Sequence, residues 1–182
     1  FYEFDPQGKK LNEIWFQSPQ PSMIHDCGLT ENYLILALIP QLMDLERIRQ
    51  GGILFQWEPK ADQVYAVIPR QGTASDVRFF RAPNGFPGHV INAFEEGNKL
   101  FLDLPVLNDN VFWFFPDAEG KAPSPETLRT EIVRWTFDMG SKSDRPEAKV
   151  ISTFAGEFPH VDDRYIGQAY RHAFLQGTDP TK

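Results

Sequence analysis

Cysteine is almost absent. Cys27 stands alone in 182 residues, so no internal disulfide can form, and a reducing, cytoplasmic compartment is the expected setting. Long apolar runs are missing as well: the longest, Tyr33 to Pro40, is far below the roughly 20 residues a helix needs to cross a hydrocarbon core, so no transmembrane segment is expected. Positive charge is in deficit. With 18 Lys and Arg against 25 Asp and Glu the net charge is -7, and no basic stripe is visible, which leaves nucleic acid without a phosphate-tracking surface. Phe1 opens directly into a strand-like pattern with no signal peptide or polar leader, and the chain is read as a piece of a longer polypeptide.

Hydrophobic residues make up 41% of the chain, enough to bury a core. Sixteen Phe, four Trp and five Tyr stand beside fifteen Pro and thirteen Gly, a mixture that favours short strands joined by tight turns and predicts an all-β fold. Three stretches read as an aromatic, an acid and a chain reversal: Phe4 to Lys9, Trp57 to Lys60, and Phe137 to Lys142. The strands expected to follow them are Ile14 to Phe16, Val64 to Ile68 and Val150 to Phe154. A further hairpin pairs Val90 to Phe94 with Leu100 to Val106. Two short helices are expected as loop insertions, one in Pro40 to Gly51 with Gly51 as its stop, the other starting at Ser124 with Pro125 in its first turn. Strands recurring about every 40 to 50 residues suggest propeller blades. Residues 1–182 are therefore read as one partial β-propeller domain of about three blades, four at most, with open edges left for blades outside this chain.

The four histidines, at 25, 89, 160 and 172, form no local metal signature, and singly each is most simply an ordinary hydrogen-bonded residue. His25 and His89 share a setting, each at the entrance to an apolar strand. Inner-strand entrances of a propeller crowd around its axis, where side chains from different blades can meet on one ion.

Three blocks carry a resemblance. Met23-Ile24-His25-Asp26-Cys27-Gly28-Leu29-Thr30-Glu31-Asn32-Tyr33 resembles the His-Asp-x-x-x-Thr-Glu-Asn-Tyr motif of the carotenoid cleavage oxygenase family. His89-Val90-Ile91-Asn92-Ala93-Phe94-Glu95-Glu96-Gly97 is similar to that family's second block, and Gly156-Glu157-Phe158-Pro159, with Arg164, Gly167, Tyr170 and Arg171, to its Glu-Phe-Pro segment. The resemblance implies the middle blades of a seven-bladed propeller holding Fe(II) on four axial histidines. It implies that His25 and His89 are two of these ligands, the others lying outside this chain, and that Glu157 accepts the far N–H of one ligand, taken as His89. It gives His160 and His172 no metal role. The implied reaction splits a conjugated C=C bond with dioxygen into two carbonyls, and this chain alone is expected to be inactive.

The family divides between carotenoid or apocarotenoid substrates and smaller stilbene-like phenolics. The Leu42 to Arg49 insert alternates apolar and charged residues, so dipping into lipid would bury charge, and a stilbenoid or related apolar, phenolic alkene is the preferred substrate. Three further readings stay open or unfavoured. A non-catalytic propeller scaffold would lack iron, and a propeller glycosidase would need converging carboxylates, which the adjacent Glu95-Glu96 and Asp162-Asp163 do not supply. Cys27 shares a strand face with His25 if the strand is regular, and is expected as a small buried filler. Phe112 to Phe115 are expected in the core, or else along a substrate tunnel.

Overall fold

The computed structural model describes residues 1–177; residues 178–182 of the domain expected from the sequence lie outside them. The strands in chain order are β1 (Tyr2–Phe4), β2 (Lys10–Glu13), β3 (Ser22–Leu29), β4 (Tyr33–Met43), β5 (Phe55–Trp57), β6 (Gln63–Pro69), β7 (Arg78–Ala82), β8 (Phe86–Pro87) and β9 (Asn92–Glu96). After them come β10 (Lys99–Leu107), β11 (Thr130–Asp138), β12 (Glu147–Ser152), β13 (Gly156–His160) and β14 (Phe174–Gly177), with one helix, α1 (Leu45–Arg49), between β4 and β5.

Two antiparallel sheets, each four strands wide, form complete blades. The first runs β3-β4-β6-β7 with β5 also on β4; the second runs β12-β11-β10 and ends on β8 and β9, both paired to β10. Two separate hairpins, β1-β2 and β13-β14, flank them, and among the described residues no sheet closes. The fold is thus a partial β-propeller with two whole blades, fewer than the three expected, because the flanking pairs contribute two strands each.

Prolines in the central strands explain why the neighbouring strands are broken. β4 pairs with β6 up to Leu38 and with β5 from Gln41, leaving Pro40 opposite the gap, where its carbonyl accepts from Glu58 N at 2.9 Å. In the second blade β10 pairs with β9 up to Asp103 and with β8 from Val106. Pro105 lies between, and its carbonyl accepts from Gly88 N at 2.8 Å. A strand residue directs its N–H and C=O to the same edge, so each proline lacks the donor that would have continued the ladder there.

This corrects one expected reversal. Trp57 to Lys60 does not turn the chain back; it is the bulged interruption between β5 and β6, which continue in one direction along β4. The first hairpin forms, but its second strand is Lys10–Glu13 and not Ile14 to Phe16. Only Ile14 of that apolar stretch meets the ladder: it is buried and exchanges both backbone hydrogen bonds with Phe1 at 2.9 Å, and the pairing goes no further. The Phe137 reversal and the β9-β10 hairpin both form, but β9 is Asn92–Glu96 and not Val90 to Phe94, and β12 is Glu147–Ser152 and not Val150 to Phe154. The first helix is shorter than expected because Pro40 to Met43 belong to β4; Asp44 caps it, and Gly51, at φ +82°, ends it. At Ser124 there is one turn and no helix. Thr127 N and Leu128 N both return to Ser124 O, and the chain enters β11 at Thr130 before a second turn can form.

The main core lies between the blades. Ile35, Ala37, Tyr65, Val67 and Phe80 from the first pack against Ala93, Leu100, Leu102, Leu104, Trp135 and Phe137 from the second. Tyr65 and Phe137 approach at 5.4 Å between ring centroids. Close approach of the two inner strands depends on Gly28 in β3, where a Cβ would lie 2.6 Å from Leu102 Cδ1 and 3.0 Å from Ala93 Cβ. No described helix is long and apolar enough to cross a membrane.

Candidate metal centre

Both histidines sit where an inner strand leaves its ladder. In β3 the register slips between Ile24, opposite Leu38, and Cys27, opposite Leu36, so His25 and Asp26 together face Ala37 in a bulge. His89 lies in the interruption between β8 and β9 that Pro105 imposes. Released from flat pairing, the two side chains turn towards each other, and their ring centroids stand 4.7 Å apart.

Glu157, on β13, reaches His89 from the neighbouring hairpin. One carboxylate oxygen accepts from His89 N at 3.0 Å and the other contacts Nδ1 at 2.9 Å. With Nδ1–H donating to the carboxylate, the Nε2 lone pair is free to bind a cation. The carboxylate occupies the space a side chain at Gly88 would fill: a Cβ there would lie 2.0 Å from Glu157 Oε1. Phe158 is the one described non-glycine residue at positive φ, +50°, in a region side chains avoid. Its N–H donates to Glu157 Oε2 at 2.5 Å, and its ring lies over His89 at 5.3 Å.

The histidine pair opens on an apolar cleft of about 280 Å³ lined by Phe86, Leu107, Val111, Phe112, Leu128 and Phe158. Phe112 meets the His25 ring edge-on at 6.4 Å. The Phe112–Phe115 segment divides: Trp113 is 73% exposed and Phe114 is exposed as well, whereas Phe112 is half-buried, packs against the buried cluster of Ile39, Trp57 and Phe86, and joins this wall. Cys27 is exposed, not a buried filler. The bulge breaks the strand alternation and sends it to a different cleft, beside His160. Although its surface is open to solvent, neighbouring atoms shield the thiol from part of its water and push its pKa up, and the nearby Asp26 charge adds to this, which argues against a thiolate nucleophile. His172 lines a third cleft, away from the pair. Among the described residues no third His, Cys, Asp or Glu joins His25 and His89 in a metal-holding group.

The remaining residues of the quoted blocks brace the blades. Thr30 closes the β3-β4 turn, its hydroxyl accepting from Tyr33 N at 2.9 Å. Asn32 donates from its backbone and its side chain to the two oxygens of Glu95 in the second blade. Burial raises the Glu95 pKa, but hydrogen bonds from Asn32 and Thr30 outweigh it and hold the carboxyl below its ordinary value. Asn92 donates to Tyr165 O and Gln168 O and accepts from Gly167 N, fixing the segment after β13. None of these roles is legible from spacing, nor is that of Asp26, which accepts from Val90 N.

By fold and site together, this is a partial β-propeller with a carboxylate-oriented histidine pair where its two blades meet. The model of the retinal pigment epithelial membrane protein family (RPE65) matches residues 1–182. The chain belongs to this family, that of the carotenoid cleavage oxygenases. Resveratrol cleavage oxygenase 1 of Aspergillus fumigatus is 38% identical over 183 residues, covering 99% of this chain and 37% of that protein. Lignostilbene-alpha,beta-dioxygenase isozyme III of Sphingomonas paucimobilis is 41% identical over 184 residues, with 99% and 38% covered. The crystal structure of Pseudomonas brassicacearum lignostilbene dioxygenase superposes with a TM-score of 0.96 at 48% identity, over 100% of this chain and 38% of that one. The chain therefore spans less than two-fifths of the length of these relatives.

Proposed function

We propose that this chain supplies the middle blades of an Fe(II)-dependent dioxygenase that cleaves the conjugated C=C bond of a stilbenoid or related phenolic alkene into two carbonyl products. The observation that carries the reading is the His25–His89 pair, 4.7 Å apart between centroids at the mouth of an apolar cleft.

The donor set fits a divalent transition metal. Neutral imidazoles suit iron, and also zinc, copper and nickel, so the choice of iron rests on the family. His25 and His89 would hold the ion with ligands from blades outside this chain, and the chain by itself is expected to be inactive. When bound, the iron supplies a site for dioxygen beside the alkene. The chain's own residues do the rest. Glu157 fixes the tautomer and aim of His89. Phe86, Leu107, Val111, Phe112 and Leu128 exclude water and offer aromatic faces and edges to a flat, conjugated substrate. Adding both atoms of dioxygen across one C=C bond gives two carbonyls with no net proton and no external reductant.

Similarity to stilbene-cleaving relatives supports the phenolic substrate, as does the loop around α1. Arg47 there donates to the carbonyls of Leu42 at 2.7 Å, Ile53 at 2.9 Å and Leu54 at 3.3 Å, fastening a segment whose charges oppose lipid insertion. The single cysteine supports a cytoplasmic setting. Incubating the full-length enzyme with resveratrol-type stilbenes and with apocarotenoids, and separating the products by chromatography, is expected to show two aromatic aldehydes from the stilbene. Cleavage of the polyene alone would contradict the substrate assignment.

Gly88→Ala tests the Glu157 contact. The new Cβ would displace the carboxylate from His89, and metal affinity is expected to fall about 10–100-fold, the range seen when an outer partner of a ligand is lost. Competition with a chelator measures it. Unchanged affinity would show that Glu157 does not support the site.

A further inference from the structure

The break in the inner strand of the second blade leaves four backbone N–H groups in need of acceptors. Gly88 N and Ile91 N return to β10, donating to Pro105 O and Asp103 O, each at 2.8 Å. The two between them find side-chain carboxylates instead. His89 N donates to Glu157, and Val90 N donates to Asp26 Oδ2 at 2.7 Å. The other oxygen of Asp26 accepts from Cys27 N, also at 2.7 Å.

We propose that Asp26 is a positioning residue that fixes the separation of His25 and His89 by tying the backbone of one blade to that of the next. The proposal rests on the metal reading above. Asp26 directly follows His25 and Val90 directly follows His89, so the tie acts where both imidazoles leave the chain. Its two oxygens are divided between the bulge that carries His25 and the interruption that carries His89. Both bonds are short and charge-assisted, the stronger kind. The division of labour with Glu157 is geometric: Glu157 orients the His89 ring, whereas Asp26 sets the distance between the two ligand-bearing strands. Metal–ligand distances tolerate only tenths of an ångström, so this distance governs affinity.

The test compares Asp26→Ala, Asp26→Asn and His89→Ala in the full-length enzyme. Three readouts are taken: metal affinity by chelator competition, the visible absorption of the Co(II)-loaded protein, and melting of the metal-free protein. Asp26→Ala is expected to lower affinity about 10–100-fold and to alter the Co(II) bands, while the metal-free melting temperature changes little. Asp26→Asn is expected to recover part of the affinity, because its amide oxygen still accepts from Val90 N while its NH2 cannot accept from Cys27 N. A folded Asp26→Ala with wild-type affinity and an unchanged Co(II) spectrum would overturn the proposal. If His89→Ala also keeps its metal, the metal reading itself fails, which separates the two failures. Should Asp26→Ala not fold, site-resolved hydrogen exchange of the unaltered enzyme decides: the Val90 amide is expected to be protected, and exchange at the open-chain rate would overturn the tie.

Discussion

His89→Ala in the full-length enzyme is expected to abolish bound iron and alkene cleavage together, and His25→Ala to do the same. The loss should exceed the roughly 10–100-fold that follows removal of an outer partner, because an electron-pair donor to the ion is deleted and not merely misaimed. His89→Ala also strands Glu157, whose carboxylate would keep only the backbone N–H groups of His89 and Phe158. Iron quantified per polypeptide, beside aldehyde production, checks both effects. His160→Ala is expected to leave them unchanged, since His160 lines a different cleft. Full iron occupancy in His89→Ala would remove the basis for the site.

The second large effect concerns stability. Asp103, on β10, is fully buried, and its carboxylate accepts from Arg134 Nε at 2.8 Å, Arg134 Nη2 at 2.7 Å and the Tyr170 hydroxyl at 2.6 Å. Arg134 also lies over the Phe94 ring at 5.0 Å. Burial pushes the Tyr170 hydroxyl pKa well up, and the Asp103 charge pushes it further, so Tyr170 stays a donor at any working pH. Arg134→Met keeps the apolar stem over the ring but leaves a buried charge with one partner, and is expected to destabilise the enzyme by about 3–5 kcal/mol. Tyr170→Phe, which removes a single bond to that charge, is expected to cost about 1.5–3 kcal/mol. Chemical denaturation of the full-length protein measures both. Equal stability of Arg134→Met and wild type would show that Asp103 does not depend on the pair. Replacing Asp103 and Arg134 together by apolar residues is expected to recover much of the loss.

Elements with unambiguous local chemistry were legible in the sequence. The apolar Tyr33 to Pro40 run becomes a central strand, the Gly97-Asn98 turn joins β9 to β10, and Gly51 stops α1. Failures occurred where the deciding partner is distant in sequence. Trp57 to Lys60 carries turn residues, yet Pro40, across the ladder, makes it a bulge. His25 and Cys27 share a face only in a regular strand, and nothing local announces the slip that parts them.

His25, His89 and Glu157 stand in the three blocks, and the fold brings their side chains together. What spacing could not give is the machinery beneath them: Gly88 as the seat of a carboxylate, Phe158 in a left-handed conformation, Asp26 spanning two blades. One unused signal was present. Pro105 lies inside the Leu100 to Val106 strand pattern, and a proline at the centre of a sheet marks a place where a neighbouring strand must let go. The strand that lets go is the one that carries His89.

Diffraction from crystals of the full-length enzyme, recorded at the iron absorption edge, tests the metal centre most directly. An anomalous peak is expected at about 2.1 Å, the usual imidazole-to-metal distance, from a ring nitrogen of both His25 and His89. A peak bound elsewhere, or none in fully active protein, would contradict it.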